Sequence, residues 1–216
     1  VFANVVEKTK GEFDSHVSTG LIGIQFLMRG LTEHGKGDLA YTIATNRTYP
    51  SWGYMIDKGA TTIWELWNGD TADPAMNSGN HLMQLGDLIA WDWENLMTWY
   101  YENLAGIKSD PQQVGFKKIV MAPYFPDGLD WVNASYESLY GPIESNWKKG
   151  ENGLSWKVVI PANTTASIRI PAASADKVTE SGKPLLQNPA VKSVNAADGF
   201  VVVEAGSGTF DFLAGK

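Results

Sequence analysis

Residues 49–67, called here the aromatic segment, combine many aromatic side chains with a glutamate. The segment reads YPSWGYMIDKGATTIWELW, and its Pro and Gly residues predict a loop instead of a long helix. Aromatic ring faces stack on the C–H faces of sugars, and a carboxylate can move a proton or activate a water molecule. Trp52, Trp64 and Trp67 are therefore candidates for stacking on a sugar, and Glu65 is the candidate for acid–base chemistry. The alternative is that the rings only pack in a core and that Glu65 is solvated. Composition alone does not decide between the two.

Length, charge and composition exclude several classes of function. The 216 residues suffice for one large or two small domains, and a hydrophobic content of 44% supports a packed core. A net charge of −7 argues against nucleic acid or an anionic membrane surface as a partner, because phosphate groups are bound by clustered Lys and Arg. No apolar run is long enough to span a bilayer. The sequence has no Cys, and the spacing of Asp70 and Asp73 does not match a calcium loop, so we expect no metal and no other cofactor.

The first half of the chain shows helical periodicity. Apolar residues at three- and four-residue spacing predict a helix over residues 14–31, and a second helix over residues 38–46. The short turn between them contains glycine, which predicts an αα-hairpin. A longer helical pattern, one helix or two, covers residues 78–106. His16 lies at the start of the first helix, where a histidine in isolation is more often a capping or surface residue than a functional one.

The second half of the chain changes to short alternating runs bounded by Gly, Pro and Asn. Residues 108–115 predict a linker, and the runs after it predict strands. The predicted strands are Phe116–Ala122, Leu129–Tyr140, Gly141–Lys149, Leu154–Ile160, Ala166–Ile170, Val191–Val194, Phe200–Ala205 and Gly208–Leu213. Several short strands with frequent turns are typical of an antiparallel β-sandwich. The sequence therefore predicts an α plus β protein with two domains, helices over residues 1–107 and a sandwich over residues 116–216.

The aromatic segment up to Glu65 resembles the signature of glycoside hydrolase family 78, the α-L-rhamnosidases. Segments before and after it agree in order and approximate spacing, namely residues 16–20, residues 38–41, Asn80-His81 and residues 104–107. The resemblance is specific from about Asp14 to Ile107 and weaker from there to Trp147. One departure is that residues 88–91 resemble residues 96–99, as if two helical turns were duplicated.

The resemblance implies a fold, a reaction and residue roles. It implies that residues 1–107 are the last helices of an (α/α)6 toroid, and that this part of the enzyme carries the catalytic base. Enzymes of this family invert the anomeric carbon, and the resemblance assigns the general base to Glu65 and a contact with the sugar to His81. The family's general acid lies in an upstream motif that contains Cys, and this sequence has no such motif. A complete toroid also needs many more helices than this sequence predicts. We therefore expect the chain to be the C-terminal part of a larger enzyme and to be inactive alone.

Three functions remain open from the sequence. The first is the base-bearing part of an α-L-rhamnosidase that acts on rhamnose-containing glycans, with the missing N-terminal part of the same enzyme as its partner. The second is a non-catalytic carbohydrate-binding protein, and the third is a structural fragment whose exposed helix faces form a homo-oligomer. Hydrolysis of an aryl α-rhamnoside with and without the N-terminal part distinguishes the first from the others. The resemblance also implies a periplasmic or extracellular location.

Overall fold

A computed structural model of the chain describes residues 1–61, 63–64, 67–68 and 96–215, with the backbone alone at residues 21, 22 and 25. The chain divides into two compact units, Val1–Trp99 and Tyr100–Lys216. Helices lie in the first and strands dominate the second, which confirms the predicted fold class. None of the described helices is long and apolar enough to cross a bilayer.

The first unit has a helical hairpin at its centre. Its described helices are α1 (Phe2–Lys10), α2 (Leu21–Glu33), α3 (Gly37–Thr45), α4 (Trp52–Asp57) and α5 (Leu96–Trp99). Helices α2 and α3 pack on each other as the predicted αα-hairpin. They bury apolar side chains at helical spacing, namely Ile24, Leu27, Met28, Leu31, Leu39, Ala40, Ile43 and Ala44. Trp99 of α5 is also fully buried, and its Nε1 donates to Thr32 Oγ1 of α2 at 2.8 Å.

Helix boundaries in this unit differ from the sequence prediction. The helix expected over residues 14–31 begins only at Leu21, with Gly20 as its N-cap; Asp14 and Ser15 do not start it because they adopt left-handed backbone conformations with φ of 46° and 57°. The aromatic segment, predicted as a loop, contains the short helix α4. Residues 2–10, which show no clear period, form helix α1. Most of the helical pattern predicted over residues 78–106 lies outside the described residues, as does the apparent duplication at residues 88–91.

The second unit is a β-sandwich of two sheets. Its strands are β1 (Ile107–Ser109), β2 (Lys118–Met121), β3 (Trp131–Ser138), β4 (Gly141–Gly150), β5 (Gly153–Ile160), β6 (Thr165–Pro171), β7 (Val178–Glu180), β8 (Lys183–Pro184), β9 (Val191–Ala197), β10 (Phe200–Ala205) and β11 (Gly208–Ala214). One sheet has the order β1-β2-β6-β10-β9 and the other β3-β4-β5-β11-β7-β8. The strand pairs are antiparallel except for β2 and β6, which are parallel. Inward residues of both sheets share one core, because strand side chains alternate between faces.

The segment predicted as a linker belongs to the sandwich instead. Residues 107–109 form β1, which pairs with β2 at the edge of the five-stranded sheet. The chain then turns back, and the backbone N–H of Asp110 donates to Lys118 O at 3.0 Å. The division between the two units falls between Trp99 and Tyr100. Polar turn residues therefore marked a hairpin here and not the boundary between units.

Buried polar groups fasten the start of the sandwich to its core. Trp147 Nε1 donates to Leu104 O at 2.8 Å, and Ser145 Oγ donates to Ala105 O at 2.6 Å. Trp156 Nε1 in turn donates to Ser145 Oγ at 3.0 Å. Gly106, which follows Ala105, has φ of 74°, and a Cβ on it would lie 2.1 Å from Pro123 N. Glycine is therefore required at the point where the chain enters the first strand.

Glu180 of β7 is a buried carboxylate with several donors. Only 6% of the residue is exposed. Its oxygens accept hydrogen bonds from Ser181 Oγ at 2.7 Å, Asn188 Nδ2 at 3.0 Å and the Asp211 N–H at 3.4 Å. Burial alone raises the pKa of this carboxyl, but the three hydrogen bonds and the charge of Lys183 outweigh it and lower the pKa from the ordinary value of 4.5.

The lowered pKa predicts an acid-sensitive sandwich. The unfolded chain takes up this proton at a higher pH than the folded chain. The stabilisation from Glu180 is therefore fully present above the unfolded-state pKa of 4.5 and is lost as the pH falls through the folded-state value. We expect Glu180→Gln to reduce the loss of unfolding free energy on acidification. Urea unfolding from about pH 6 down to about pH 3 measures this. The control is Glu137→Gln, at an exposed strand position. The same pH slope in both variants would contradict the role of Glu180.

Candidate functional site

His16 contacts Thr48, the residue just before the aromatic segment. His16 is only 9% exposed, and its Nε2 lies 2.7 Å from Thr48 Oγ1. Its Nδ1 lies 2.8 Å from Asp14 O and must carry a proton, because a carbonyl oxygen can only accept. Asn46 Oδ1 accepts from the Thr48 N–H at 3.1 Å and lies 2.9 Å from Thr48 Oγ1. His16 was expected to be a capping or surface residue, which is wrong because the helix begins further along the chain.

Helix α4 sets the direction of the aromatic segment. Ser51 is its N-cap, and the Ser51 side chain accepts a hydrogen bond from the Tyr54 N–H at 3.0 Å. A Cβ on Gly53 would lie 2.4 Å from Asn46 O, so the first turn of the helix lies directly against the backbone that follows α3. Arg47 pairs with Asp57 at the last residue of α4, with Arg47 Nε 3.0 Å from Asp57 Oδ2. The Ser51 cap and the close approach at Gly53 position the aromatic side chains that begin at Trp52, whereas the exposed Arg47–Asp57 pair adds little.

The described aromatic side chains form two groups of edge-to-face pairs. Trp52 and Trp67 have ring centroids 5.5 Å apart with an interplanar angle of 75°. Tyr54 contacts Tyr49 at 5.4 Å and Trp64 at 6.4 Å, also edge to face. In an edge-to-face pair, the ring that presents its face to the partner's edge keeps its opposite face available for other contacts. Each group of pairs joins a residue near the start of the segment to one near its end.

Burial separates the three predicted stacking residues. Trp64 is 5% exposed, so it packs as part of the core and offers almost no ring face to a ligand. Trp52 and Trp67 are half-buried and retain accessible ring surface. A sugar that approaches the described part of the segment therefore meets Trp52 and Trp67. The fold therefore buries one of the three tryptophans and leaves the other two partly exposed.

The other two predicted site residues, Glu65 and His81, lie outside the described residues. Their roles stay predictions. Sequence reasoning did not find the contacts of His16 with Thr48 or of Arg47 with Asp57. The only available signal was that His16 belongs to a segment that resembles the family. Within the described ranges, His, Asp and Glu side chains form no group of three that could hold a metal ion.

Sequence models of two enzyme domains match the chain in succession. Residues 2–96 match the bacterial alpha-L-rhamnosidase 6 hairpin glycosidase domain, and residues 106–184 match the bacterial alpha-L-rhamnosidase C-terminal domain. An alpha-L-rhamnosidase of Streptomyces avermitilis is 36% identical over 204 residues, which are 92% of this chain and 18% of that protein. The chain therefore spans about a fifth of the length of the curated relatives that it matches.

Solved structures of such enzymes contain the same fold. The crystal structure of Streptomyces avermitilis alpha-L-rhamnosidase complexed with L-rhamnose aligns with a TM-score of 0.78 at 34% identity, over 94% of this chain and 18% of that one. The alpha-L-rhamnosidase from Dictyoglumus thermophilum aligns with a TM-score of 0.81 at 26% identity, over 100% of this chain and 23% of that one. The chain therefore belongs to the bacterial α-L-rhamnosidase family, and it corresponds to the end of the six-hairpin glycosidase domain together with the C-terminal domain.

Proposed function

We propose that the chain is the base-bearing part of an enzyme that hydrolyses terminal α-L-rhamnosyl residues of glycosides or polysaccharides with inversion. The observation that carries the proposal is the aromatic segment, in which Trp52 and Trp67 pair edge to face on either side of Glu65 in the sequence. This pairing supports a sugar-binding surface next to a carboxylate in the chain. The rhamnose complex of the Streptomyces avermitilis enzyme supports rhamnose as the sugar.

Each proposed site residue has a distinct task. Glu65 acts as the general base, which removes a proton from the water molecule that attacks the anomeric carbon. For this it must be ionised near neutral pH. His81 donates or accepts a hydrogen bond with a rhamnose hydroxyl, or orients the base. Trp52 and Trp67 stack against the apolar face of the sugar, while buried Trp64 packs edge to face on Tyr54.

The second carboxyl group of the reaction is proposed to come from outside this chain. Glycoside hydrolysis by inversion uses one carboxylic acid to protonate the leaving oxygen and one carboxylate to activate water. The sequence carries the motif that ends in Glu65 but lacks the motif that supplies the acid in this family. The complete site therefore needs the upstream part of a longer enzyme, and rhamnose-containing glycans are the proposed substrates of that enzyme.

The stereochemistry of hydrolysis tests the proposal. The longer enzyme is incubated with an aryl α-L-rhamnoside, and proton NMR follows the anomer that appears first. Inversion releases β-L-rhamnose before mutarotation mixes the anomers. The chain by itself is the control, and we expect it to show no measurable hydrolysis. Initial release of α-L-rhamnose, or turnover by the pure chain that Glu65→Gln abolishes, would contradict the proposal.

Two further properties go with this function. We propose a periplasmic or extracellular location, because polymeric glycans are degraded outside the cytoplasm. We also propose that the chain alone self-associates through its helices. Phe26 of α2 and Ile56 of α4 support this, since they are 69% and 64% exposed.

A further inference from the structure

The outer face of the six-stranded sheet carries polar and aromatic side chains in register. Trp131 of β3 lies opposite Lys148 of β4, and Asn133 lies opposite Asn146. The intervening residues, Val132 and Trp147, point to the other face of the sheet, because side chains alternate along a strand. Trp147 is 1% exposed in the core, whereas Trp131 is 57% exposed. A large aromatic ring therefore stands on the outer face among amide and ammonium groups.

The four outer-face side chains line an open, shallow depression of about 270 Å³, and core residue Trp147 lies beneath it. Its lining residues are Trp131, Asn133, Asn146, Trp147 and Lys148. Asn146 is fixed by its neighbours, since its Oδ1 accepts from the Ala134 N–H at 3.1 Å and its Nδ2 donates to Glu144 at 3.2 Å. The amide thus keeps one N–H for a ligand. Proteins place an aromatic surface and a few convergent polar groups in this way at small-molecule sites.

The remaining polar groups of the depression are unused by the protein. The side chains of Trp131, Asn133 and Lys148 make no hydrogen bond or ion pair with the part of the chain that the structure describes. Lys157 lies on the same face, but its ammonium group lies 3.7 Å from Glu144. Among the five lining residues Lys148 is the charged one, and no described carboxylate pairs with it. A ligand here meets a ring face, two amides and an ammonium group without an ion pair, while the neighbouring Glu144 carboxylate is taken up by Asn146 and Lys157.

We propose that this depression binds one pyranose ring of a glycan that carries a carboxylate, a uronic acid residue. The volume suits a single ring, and the C–H face of the ring covers Trp131. Asn133 and Asn146 hydrogen-bond its hydroxyl groups, and Lys148 pairs with the carboxylate. The site lies in the sandwich unit and is independent of hydrolysis by Glu65. It gives the chain a second glycan contact and a preference for acidic polysaccharides.

Calorimetric titration of the full chain tests the proposal. The probes are tetragalacturonate and the same oligosaccharide with its carboxyl groups reduced to hydroxymethyl groups. We expect the chain to bind tetragalacturonate more tightly than the reduced form. Trp131→Ala should weaken binding of both probes about tenfold. Lys148→Gln should weaken binding of tetragalacturonate about threefold and leave the reduced form unchanged.

Matched variants exclude indirect effects. Leu139→Ala removes another exposed apolar side chain, 94% exposed, and Lys192→Gln removes an exposed lysine on the other sheet. Neither should change binding. Circular dichroism and thermal melting verify that each variant is folded, and Asn133→Ala replaces Trp131→Ala if that variant unfolds. Absence of binding, equal binding of both probes, or unchanged binding by Trp131→Ala and Asn133→Ala would overturn the proposal.

The test is separable from that of the proposed enzyme. Hydrolysis of a small aryl α-L-rhamnoside by the longer enzyme should be unchanged by Trp131→Ala, because that substrate has no uronic acid residue. Loss of glycan binding with intact hydrolysis leaves the proposed function in place. Intact glycan binding without any hydrolysis leaves the sandwich site in place and removes the proposed function.

Discussion

Replacement of Glu65 by alanine in the longer enzyme is expected to lower kcat by about 10²–10⁴-fold, the range that general acid–base assistance contributes. KM should change much less. Proton removal from the attacking water develops in the transition state, so the loss appears in kcat and not in substrate binding. Steady-state kinetics with an aryl α-L-rhamnoside measure both constants. Azide should restore part of the rate in the variant, because it is a nucleophile that needs no proton removed.

A nearby carboxylate provides the control for this experiment. Asp57 belongs to the same segment, but it is paired with Arg47 at the exposed end of α4. Asp57→Asn should therefore leave kcat close to the wild-type value. A Glu65→Ala enzyme that keeps most of its kcat, or a loss as large in Asp57→Asn, would remove Glu65 from the mechanism.

Replacement of Trp147 by alanine is expected to destabilise the sandwich unit by about 3–5 kcal/mol, as for other large buried aromatic residues. Trp147 is 1% exposed and packs edge to face on Phe125 at 5.0 Å. Its loss leaves a cavity and also leaves Leu104 O without the indole donor that now lies 2.8 Å away. Of this total, the buried carbonyl left without a partner accounts for about 1–3 kcal/mol. Urea unfolding of the chain, followed by circular dichroism, measures the change.

Two further variants divide this effect into its parts. Trp147→Phe keeps most of the ring but removes the N–H. It should therefore lose the stability that the hydrogen bond contributes and little of the stability that comes from filling the cavity. Trp131→Ala is the matched control on the neighbouring strand, because Trp131 is 57% exposed. Its effect should be within about 0.5 kcal/mol, as for other surface substitutions. An equal decrease in unfolding free energy for Trp147→Ala and Trp131→Ala would contradict the prediction that the buried contacts of Trp147 stabilise the sandwich.

The strands of the sandwich illustrate what local pattern can predict. Runs such as residues 154–160 alternate because one face meets the core and the other meets water, and this alternation is visible in the sequence. Strands β7 and β8 were not predicted, because three and two residues are too short to show a period. Strand β1 was hidden in a segment rich in polar turn residues. The order of the strands and the parallel pairing of β2 with β6 were also not predictable, since partner choice depends on residues far apart in the chain.

The candidate site shows the same division. The aromatic composition of residues 49–67, the helical and strand-forming halves and the family motif that ends in Glu65 are visible in the sequence, because they depend on residue types and short spacings. The burial of Trp64, the accessible surface of Trp52 and Trp67, and the contact of His16 with Thr48, 32 positions away, are visible only in the folded chain. Burial and hydrogen-bond partners depend on which elements pack together. Contacts between residues that are distant in the sequence form only when helices α2, α3 and α4 pack together, so local sequence patterns do not reveal them.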